Sequence, residues 1–384
     1  MAKTRNRQGY LRVSAPAIGS AEIEEMLDAI RSGWVTTGPK VAELQHRLED
    51  YLGAPHVRCL TSCTAGLTLA LRLAGIGPGD EVLVPSMTFV ACANVVVHCG
   101  ARPVFVDCVA DTGLIDLDHA ASLVTERTAA VMPVHLGGHP LDMDALGDFR
   151  DRHGLTVIED AAHAIGAHWR GRAIGTHGNI VAFSFHATKN MTTFEGGALA
   201  LTDPAHAERV RRLSLHGLDR SAWARHESES PAAYDVPEPG FKLAMTDVAA
   251  AVGIHQLARL DGWIERRAML ADAYDARLAE LPLALSPRPP EHSRHAHHLY
   301  MVSVLDEAPL TRDELVGALH EAGIGTTIHY TPIHRMSYYA ERSPGAHLPV
   351  SEDRSERVLT LPLHADMDEE DVDYVASELA RMLA

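Results

Sequence analysis

Between residues 57 and 202, short apolar runs alternate with segments of helical period, and this rhythm restricts the fold more than any other feature of the chain. Runs of strand character occupy 81–85, 103–107, 129–135, 156–160, 180–185 and 198–202, with helical patterns at 64–74, 88–98 and 141–153 between them. Strands apolar on both faces and separated by helices predict a mostly parallel, doubly wound sheet, since crossover helices must cover both faces. Ligands of such sheets sit outside the carboxyl ends of the strands. His135, Asp160 and Ser184 all fall at such ends.

Upstream, Ile23, Met26, Leu27 and Ile30 mark one helix, and Val41, Leu44, Leu48 and Tyr51 a second, with a turn-rich break at 32–39. Downstream, a long helical stretch over 245–281 leads through a proline-marked turn at 287–290. A strand at 299–305, a helix at 311–322, a polar and aromatic segment at 326–339 and helices near 350–358 and 368–383 follow. A chain of 384 residues exceeds one comfortable core. The expectation is an α/β chain with a large sheet domain over 1–250, including an N-terminal arm, and a smaller C-terminal α+β domain over 251–384 led by the long helix.

The formal charge of −17, from 34 basic and 51 acidic residues, argues against nucleic acid or an anionic membrane as partner. Five cysteines, odd in number and without a CxxC pair, read as reduced thiols in a cytoplasmic protein. The N-terminus is basic and lacks the apolar stretch of a signal peptide, and no run reaches transmembrane length.

Chemistry concentrates in Ser184-Phe185-His186-Ala187-Thr188-Lys189-Asn190, followed by Gly196-Gly197 and the next apolar run. The chain has four lysines (Lys3, Lys40, Lys189, Lys242) against thirty arginines, so a lysine between two buried strands is conspicuous. Arginine supplies charge but forms no imine. Lysine does, which is how proteins hold pyridoxal phosphate. Taken alone, Lys189 reads better as a surface lysine in a turn. Thr61-Ser62-Cys63-Thr64-Ala65-Gly66 opens a helix, and its free N–H groups suit a phosphate, although the same residues serve ordinary N-capping. Glu159-Asp160 ends a strand just before Ala161-Ala162-His163. Asp160 there either keeps a basic ring nitrogen protonated or binds a backbone N–H. Phe89 is placed to stack on a flat cofactor or to join the core, and His329, Tyr330 and His334 to line a polar substrate pocket or a solvated loop. Gly75, Gly77 and Gly79 precede a strand, which reads as a turn, not a dinucleotide fingerprint. The histidines of 291–298 lack metal-ligand spacing, so no metal is expected.

In this order the motifs resemble the pyridoxal phosphate-dependent sugar aminotransferases of the DegT/DnrJ/StrS type, over nearly the whole chain. The resemblance rests on segments 32–39, 61–66, 158–163, 184–190, 194–197, 245–253, 328–334 and 361–364. It implies a fold-type I enzyme in which Lys189 holds the cofactor covalently and then moves the substrate proton. It also implies that Asp160 pairs with the pyridine nitrogen, His163 lies by the ring hydroxyl, Phe89 stacks, and Thr64, Ala65 and Ser184 hold the phosphate. Family members form homodimers or larger assemblies with shared active sites. Many carry glycine where Cys63 stands and asparagine where Lys242 stands. The resemblance places Lys242 so that it reaches from the neighbouring subunit toward the cofactor phosphate or a substrate diphosphate. Lys242, His163 and 215–218 resemble the branch that aminates C4 of 4-keto sugars. The implied reaction moves the amino group of L-glutamate onto a nucleotide-linked 4-keto-6-deoxyhexose. Its rivals are 3-keto amination, a related dehydratase, which carries histidine in place of Lys189, and a non-catalytic regulator.

Overall fold

Alternate residues of the central strands feed two separate cores, and this is what makes the sheet a two-sided layer. The computed structural model describes residues 9–220 and 234–384; the basic N-terminal segment read above lies largely outside them. Strands β1 (His56–Leu60), β2 (Glu81–Pro85), β3 (Arg102–Val106), β4 (Thr128–Val131), β5 (Thr156–Asp160), β6 (Ile180–Ser184) and β7 (Gly197–Leu201) form one sheet in the order β1-β7-β6-β5-β4-β2-β3. Leu83, Val157 and Val181 face one core, while Val82, Val84, Ile158 and Ala182 face the other. That is the period of two expected of a strand.

Helices α1 (Ser20–Arg31) and α2 (Pro39–Leu52) precede β1. The crossovers carry α3 (Cys63–Leu73), α4 (Ala91–His98), α5 (Leu117–Ser122) and α6 (Met143–His153), and α7 (Pro204–Leu213) follows β7. Pairing is parallel from β3 through β2, β4 and β5 to β6. Strand β7 runs antiparallel to both β6 and β1. The reversal brings Leu60, Ser184 and Gly197 to one edge, because Leu60 and Ser184 both pair with Gly197. The sheet is therefore mostly parallel, as expected, with its one reversed strand beside the lysine loop.

Helix α8 (Asp247–Leu278) joins the lobes. Its Ala250, Ile254, Leu257, Leu260 and Ile264 pack in the large core, and Leu270, Ala271, Tyr274 and Leu278 in a separate one. The second core is completed by the sheet of β8 (Leu283–Ala284), β9 (Tyr300–Val304) and β10 (Val358–Leu361), and by α9 (Arg312–Glu321) and α12 (Glu369–Leu383). Between these last two helices lie the short α10 (Ser337–Ala340) and α11 (Pro349–Arg357). The change of core falls between Ile264 and Leu270, inside a continuous helix, whereas the expected division lay near its start. Leu11 also joins the second core, so the N-terminal segment crosses back to the small lobe.

Two motifs prove architectural. Asp247, 1 % exposed, accepts the N–H groups of Gly38 (2.8 Å), Lys40 (3.2 Å) and Val41 (3.0 Å). It thus caps α2, whose first N–H groups have no helical partner. His135 is fully buried: its Nδ1 accepts the Leu141 N–H (3.1 Å), so its Nε2 carries the proton toward Glu159 (2.9 Å). Asn179 donates to the other oxygen of Glu159 (2.6 Å), and the group braces the strand ends from beneath. Among the described residues no helix is long and apolar enough to cross a membrane, and no three His, Cys, Asp or Glu side chains are grouped to hold a metal ion.

Candidate active site

At the edge where β1, β5 and β6 end, a cavity of about 620 Å³ opens between the large lobe and segment 327–331. Its walls include Cys63, Thr64, Phe89, Asp160, His163, Ser184, Lys189, His329 and Tyr330. Residues scattered over nearly 270 positions meet there because the crossovers return every strand end to the same edge.

Lys189 lies on the loop between β6 and β7. Lys189 N–H donates to the His186 carbonyl, and Thr193 N–H to the Phe185 carbonyl (both 2.9 Å). Asn190 donates to the Ala296 carbonyl (2.6 Å) and accepts from His298 Nδ1 (3.1 Å). Thr192 N–H donates to Gln256 on α8 (3.2 Å). The loop is thus pinned on both sides of the lysine, while no side chain among the described residues forms an ion pair with Nζ. Burial pulls the ammonium pKa below the ordinary lysine value, and the charge of Asp160 opposes that shift. The result is an amine more readily unprotonated, as a nucleophile and a base require.

Asp160, 5 % exposed, accepts the Ala162 N–H at Oδ1 (2.9 Å). Cys92 Sγ lies 3.0 Å from Oδ2, and Cys63 Sγ 3.6 Å from Oδ1. The two readings of Asp160 are not exclusive: it binds a backbone N–H and still forms part of the cavity wall.

His163 Nδ1 accepts the Gly137 N–H (3.1 Å), so the neutral ring carries its proton on Nε2, 3.4 Å from the Tyr330 hydroxyl. Burial, then the charges of Lys189 and His329, hold His163 well below the usual histidine range and therefore neutral. Burial also raises the Tyr330 phenol, assisted by Asp160, so Tyr330 keeps its proton. Its ring centroid is 6.2 Å from that of Phe89, which is 58 % exposed at the rim, outside the core and before the start of α4.

At the start of α3, Ser62 Oγ accepts the Ala65 N–H (3.0 Å). The N–H groups of Cys63 and Thr64, beyond reach of any helical carbonyl, are left with the positive end of the helix at the cavity wall. Ser62 caps the helix, and its cap leaves the adjacent N–H groups of Cys63 and Thr64 without a helical partner. Ala65 itself is buried behind the wall.

His334 departs from expectation. It is 4 % exposed, with Nδ1 2.7 Å from Ser86 Oγ and Nε2 3.0 Å from Glu352, and does not line the cavity. Glu352 belongs to α11, so this imidazole fastens α11 to the end of β2; the His334 contact, and after it the Leu348 N–H, hold the Glu352 carboxyl down to about 2. His329 does line the cavity, with Nδ1 2.8 Å from Thr360 Oγ1. Lys242 is exposed and away from this chain's own cavity, in a bridge with Leu215 that joins the two segments singled out for their resemblance to one branch. Sequence reasoning missed Cys92 and His298. The first has no local signal, and the second lay in a histidine run weighed only for metal.

The residues fit a flat phosphorylated pyridine: an anion-binding helix start and a hydroxyl, a carboxylate, an imidazole donor and an amine share one cavity. The sequence profile of the DegT/DnrJ/EryC1/StrS aminotransferase family matches residues 16–380. The chain is 42% identical over 375 residues to the spore coat polysaccharide biosynthesis protein SpsC of Bacillus subtilis (strain 168), covering 97% of this chain and 96% of that protein. Spr1654 from Streptococcus pneumoniae, assigned as a sugar aminotransferase and solved in its PMP form, superposes with a TM-score of 0.91 at 34% identity, covering 97% of this chain and 98% of that one. The aminotransferase TlmJ from Streptoalloteichus hindustanus superposes with a TM-score of 0.90 at 34% identity, covering 98% and 99%.

Buried imidazoles give the apoprotein a defined acid response. Burial pushes His297, His329 and His364 down to about 4, and holds His163, His295 and His298 well below their ordinary value of 6.5. Between pH 6.5 and 4 the unfolded chain therefore binds more protons than the folded one. Stability is fully present above 6.5 and lost as pH falls, by about 1.4 kcal/mol per pH unit for each such proton. Urea unfolding of the apoprotein from pH 7.5 to 5 is expected to show this slope, and His297→Asn to flatten it. A level profile would mean that these rings protonate freely within the fold.

Proposed function

Because the chain belongs to the DegT/DnrJ/EryC1/StrS aminotransferase family and is thus a pyridoxal phosphate-dependent sugar aminotransferase, we propose that it carries the amino group of L-glutamate onto a nucleotide-linked 4-keto-6-deoxyhexose. The observation that carries the reading is the unpaired Lys189 amine in one cavity with Asp160 and the start of α3. Bound pyridoxal phosphate supplies the carbonyl that takes up the donor nitrogen and the conjugated ring that accepts electrons when a C–H bond ionises. The N–H groups of Cys63 and Thr64 and the Ser184 hydroxyl bind its phosphate, Asp160 holds a proton on its ring nitrogen, and Nε2–H of His163 donates toward its hydroxyl. Phe89 covers its face. Nζ of Lys189 would take the proton from the donor α-carbon and later return one to C4 of the sugar. His329 and Tyr330 meet the sugar from segment 327–331.

The choice of a 4-keto sugar rests on the resemblance of Lys242, His163 and 215–218 to the C4-aminating branch, and the exposed Lys242, bridged to Leu215, is a cation that suits the diphosphate of a sugar nucleotide. In this reading the enzyme is a cytoplasmic homodimer, and Lys242 of one subunit serves the cavity of the other. Ile23, Leu27 and Ile30 on α1 are 51%, 40% and 49% exposed at helical spacing, an apolar stripe that a second copy would cover. The product is an amino sugar nucleotide for a glycan or a glycosylated natural product.

L-Glutamate is expected to bleach the visible band of the holoenzyme, and a panel of sugar nucleotides then asks which restores it. A 4-keto-6-deoxy compound should restore it at least about tenfold faster than a 3-keto isomer, a difference of about 1.4 kcal/mol. Recovery with the 3-keto compound alone overturns the assignment to C4, and no bleaching by L-glutamate overturns the donor.

A further inference from the structure

Neither thiol beside Asp160 has a part in the chemistry above, yet both are aimed at the carboxylate that does. Cys63 opens α3 and Cys92 lies in the first turn of α4, so two helix starts converge on the end of β5. Cys92 Sγ lies 3.0 Å from Oδ2, while Oδ1 receives the Ala162 N–H (2.9 Å) and the longer contact from Cys63 Sγ (3.6 Å). Among the described residues no arginine or lysine forms an ion pair with this carboxylate. Cys92 is fully buried, and its second hydrogen-bond neighbour is Thr88 Oγ1, at 3.9 Å.

A thiol is a weak donor. A strong donor such as a hydroxyl or guanidinium stabilises the anion and lowers its affinity for a proton facing it. An S–H group orients the carboxylate while leaving most of its charge free. Burial, and after it the charge of Asp160, raises both thiol pKa values far above the ordinary one, so each remains S–H across the working range.

We propose that Cys92, assisted by Cys63, is a positioning residue for Asp160: as a deliberately weak donor it fixes the carboxylate while withdrawing less of the charge that holds the proton on the cofactor's ring nitrogen than a hydroxyl would. The proposal rests on the reading that Asp160 faces that nitrogen. The titratable groups near Asp160 are Cys63 on α3, Cys92 on α4, Lys189 on the β6–β7 loop and Tyr330 on segment 327–331. Lys189 is committed to the cofactor in the holoenzyme, and burial keeps Tyr330 protonated. The thiols are the pair whose donor strength a conservative change can tune.

The test uses holoenzyme loaded with pyridoxal phosphate labelled with ¹⁵N in the ring, whose chemical shift reports that nitrogen's protonation as pH is raised. Cys92→Ser, nearly isosteric but a stronger donor, is expected to lower the deprotonation midpoint by about 0.5 to 1 pH unit. Cys92→Ala removes the donor and is expected to move the midpoint upward. Cys63→Gly should move it the same way by a smaller amount, and carries the comparison if Cys92→Ala does not fold. Opposite signs for serine and alanine are what a space-filling role cannot produce. Unchanged midpoints, or shifts of one sign accompanied only by lower melting temperatures, overturn the proposal. Asp160→Asn separates the underlying reading. If the nitrogen stays protonated in that variant as in the wild type, Asp160 does not govern it and the reading itself fails; if it deprotonates while the cysteine variants do nothing, the thiol proposal alone fails.

Discussion

Replacing Lys189 with alanine is expected to abolish the visible band of the holoenzyme and to lower turnover by at least about 10⁴-fold. Proton transfer by a positioned side chain contributes about 10² to 10⁴ by itself, and in the proposed reaction this lysine also supplies the covalent attachment. Nothing among the described residues stands ready to replace it. His163, His298 and His329 are the nearby imidazoles, and burial lowers the proton affinity of all three, leaving them weak bases. His163 Nδ1 and His298 Nδ1 are already engaged with Gly137 and Asn190. The loop is held by Asn190, Thr192 and Thr193, so the fold should survive, with a melting temperature near that of the wild type. The decisive measurement is a single turnover with L-glutamate, followed by absorbance and by formation of 2-oxoglutarate. Product formed at more than about a hundredth of the wild-type rate would remove Lys189 from the proton transfer.

Gly197→Ala is expected to destabilise the protein by about 3 kcal/mol, at or above the upper end of the usual cost of overpacking a core. A Cβ at position 197 would lie 2.5 Å from the backbone of both Ser62 and Cys63, and 2.6 Å from the Phe183 carbonyl oxygen. All three contacts are main-chain atoms of β6 and of the turn between β1 and α3, so no flexible side chain can yield. The damage is also functional. Relief of the clash must push the start of α3 away from the lysine loop, separating the N–H groups proposed to bind phosphate from Lys189. A titration with pyridoxal phosphate should therefore weaken at least tenfold, and the thermal midpoint should fall. Gly262→Ala is the control, because the space beside that glycine is open and the residue lies within α8. If Gly197→Ala bound the cofactor normally, the close approach of β7 to α3 would have no bearing on the site.

Much of this site was legible in the residues. The alternation over 57–202 required a doubly wound sheet, and ligand sites of such sheets lie at strand ends, where Asp160 and Ser184 fall. Lys189 stood out by its chemistry and by the scarcity of lysine in the chain. What escaped was of two kinds. His334 looked like a substrate contact because it lies four residues after Tyr330, in a segment without regular period. Its actual partners, Ser86 and Glu352, are 248 residues before it and 18 after it. The thiols of Cys63 and Cys92 are separated from Asp160 by 97 and 68 residues and looked like ordinary small core residues.

The sequence by itself determined the architecture of the sheet, the candidate for the reactive amine and the family of chemistry. These depend on local period, on side-chain functional groups and on motif order, all of which are written along the chain. The tertiary structure alone decided that β7 runs backwards, that the core changes within α8, that Asp160 rests on two thiols and that His334 is a strut. Each of these depends on which distant residues share an edge or a cavity, and pairing across tens to hundreds of residues leaves no periodic mark on either partner.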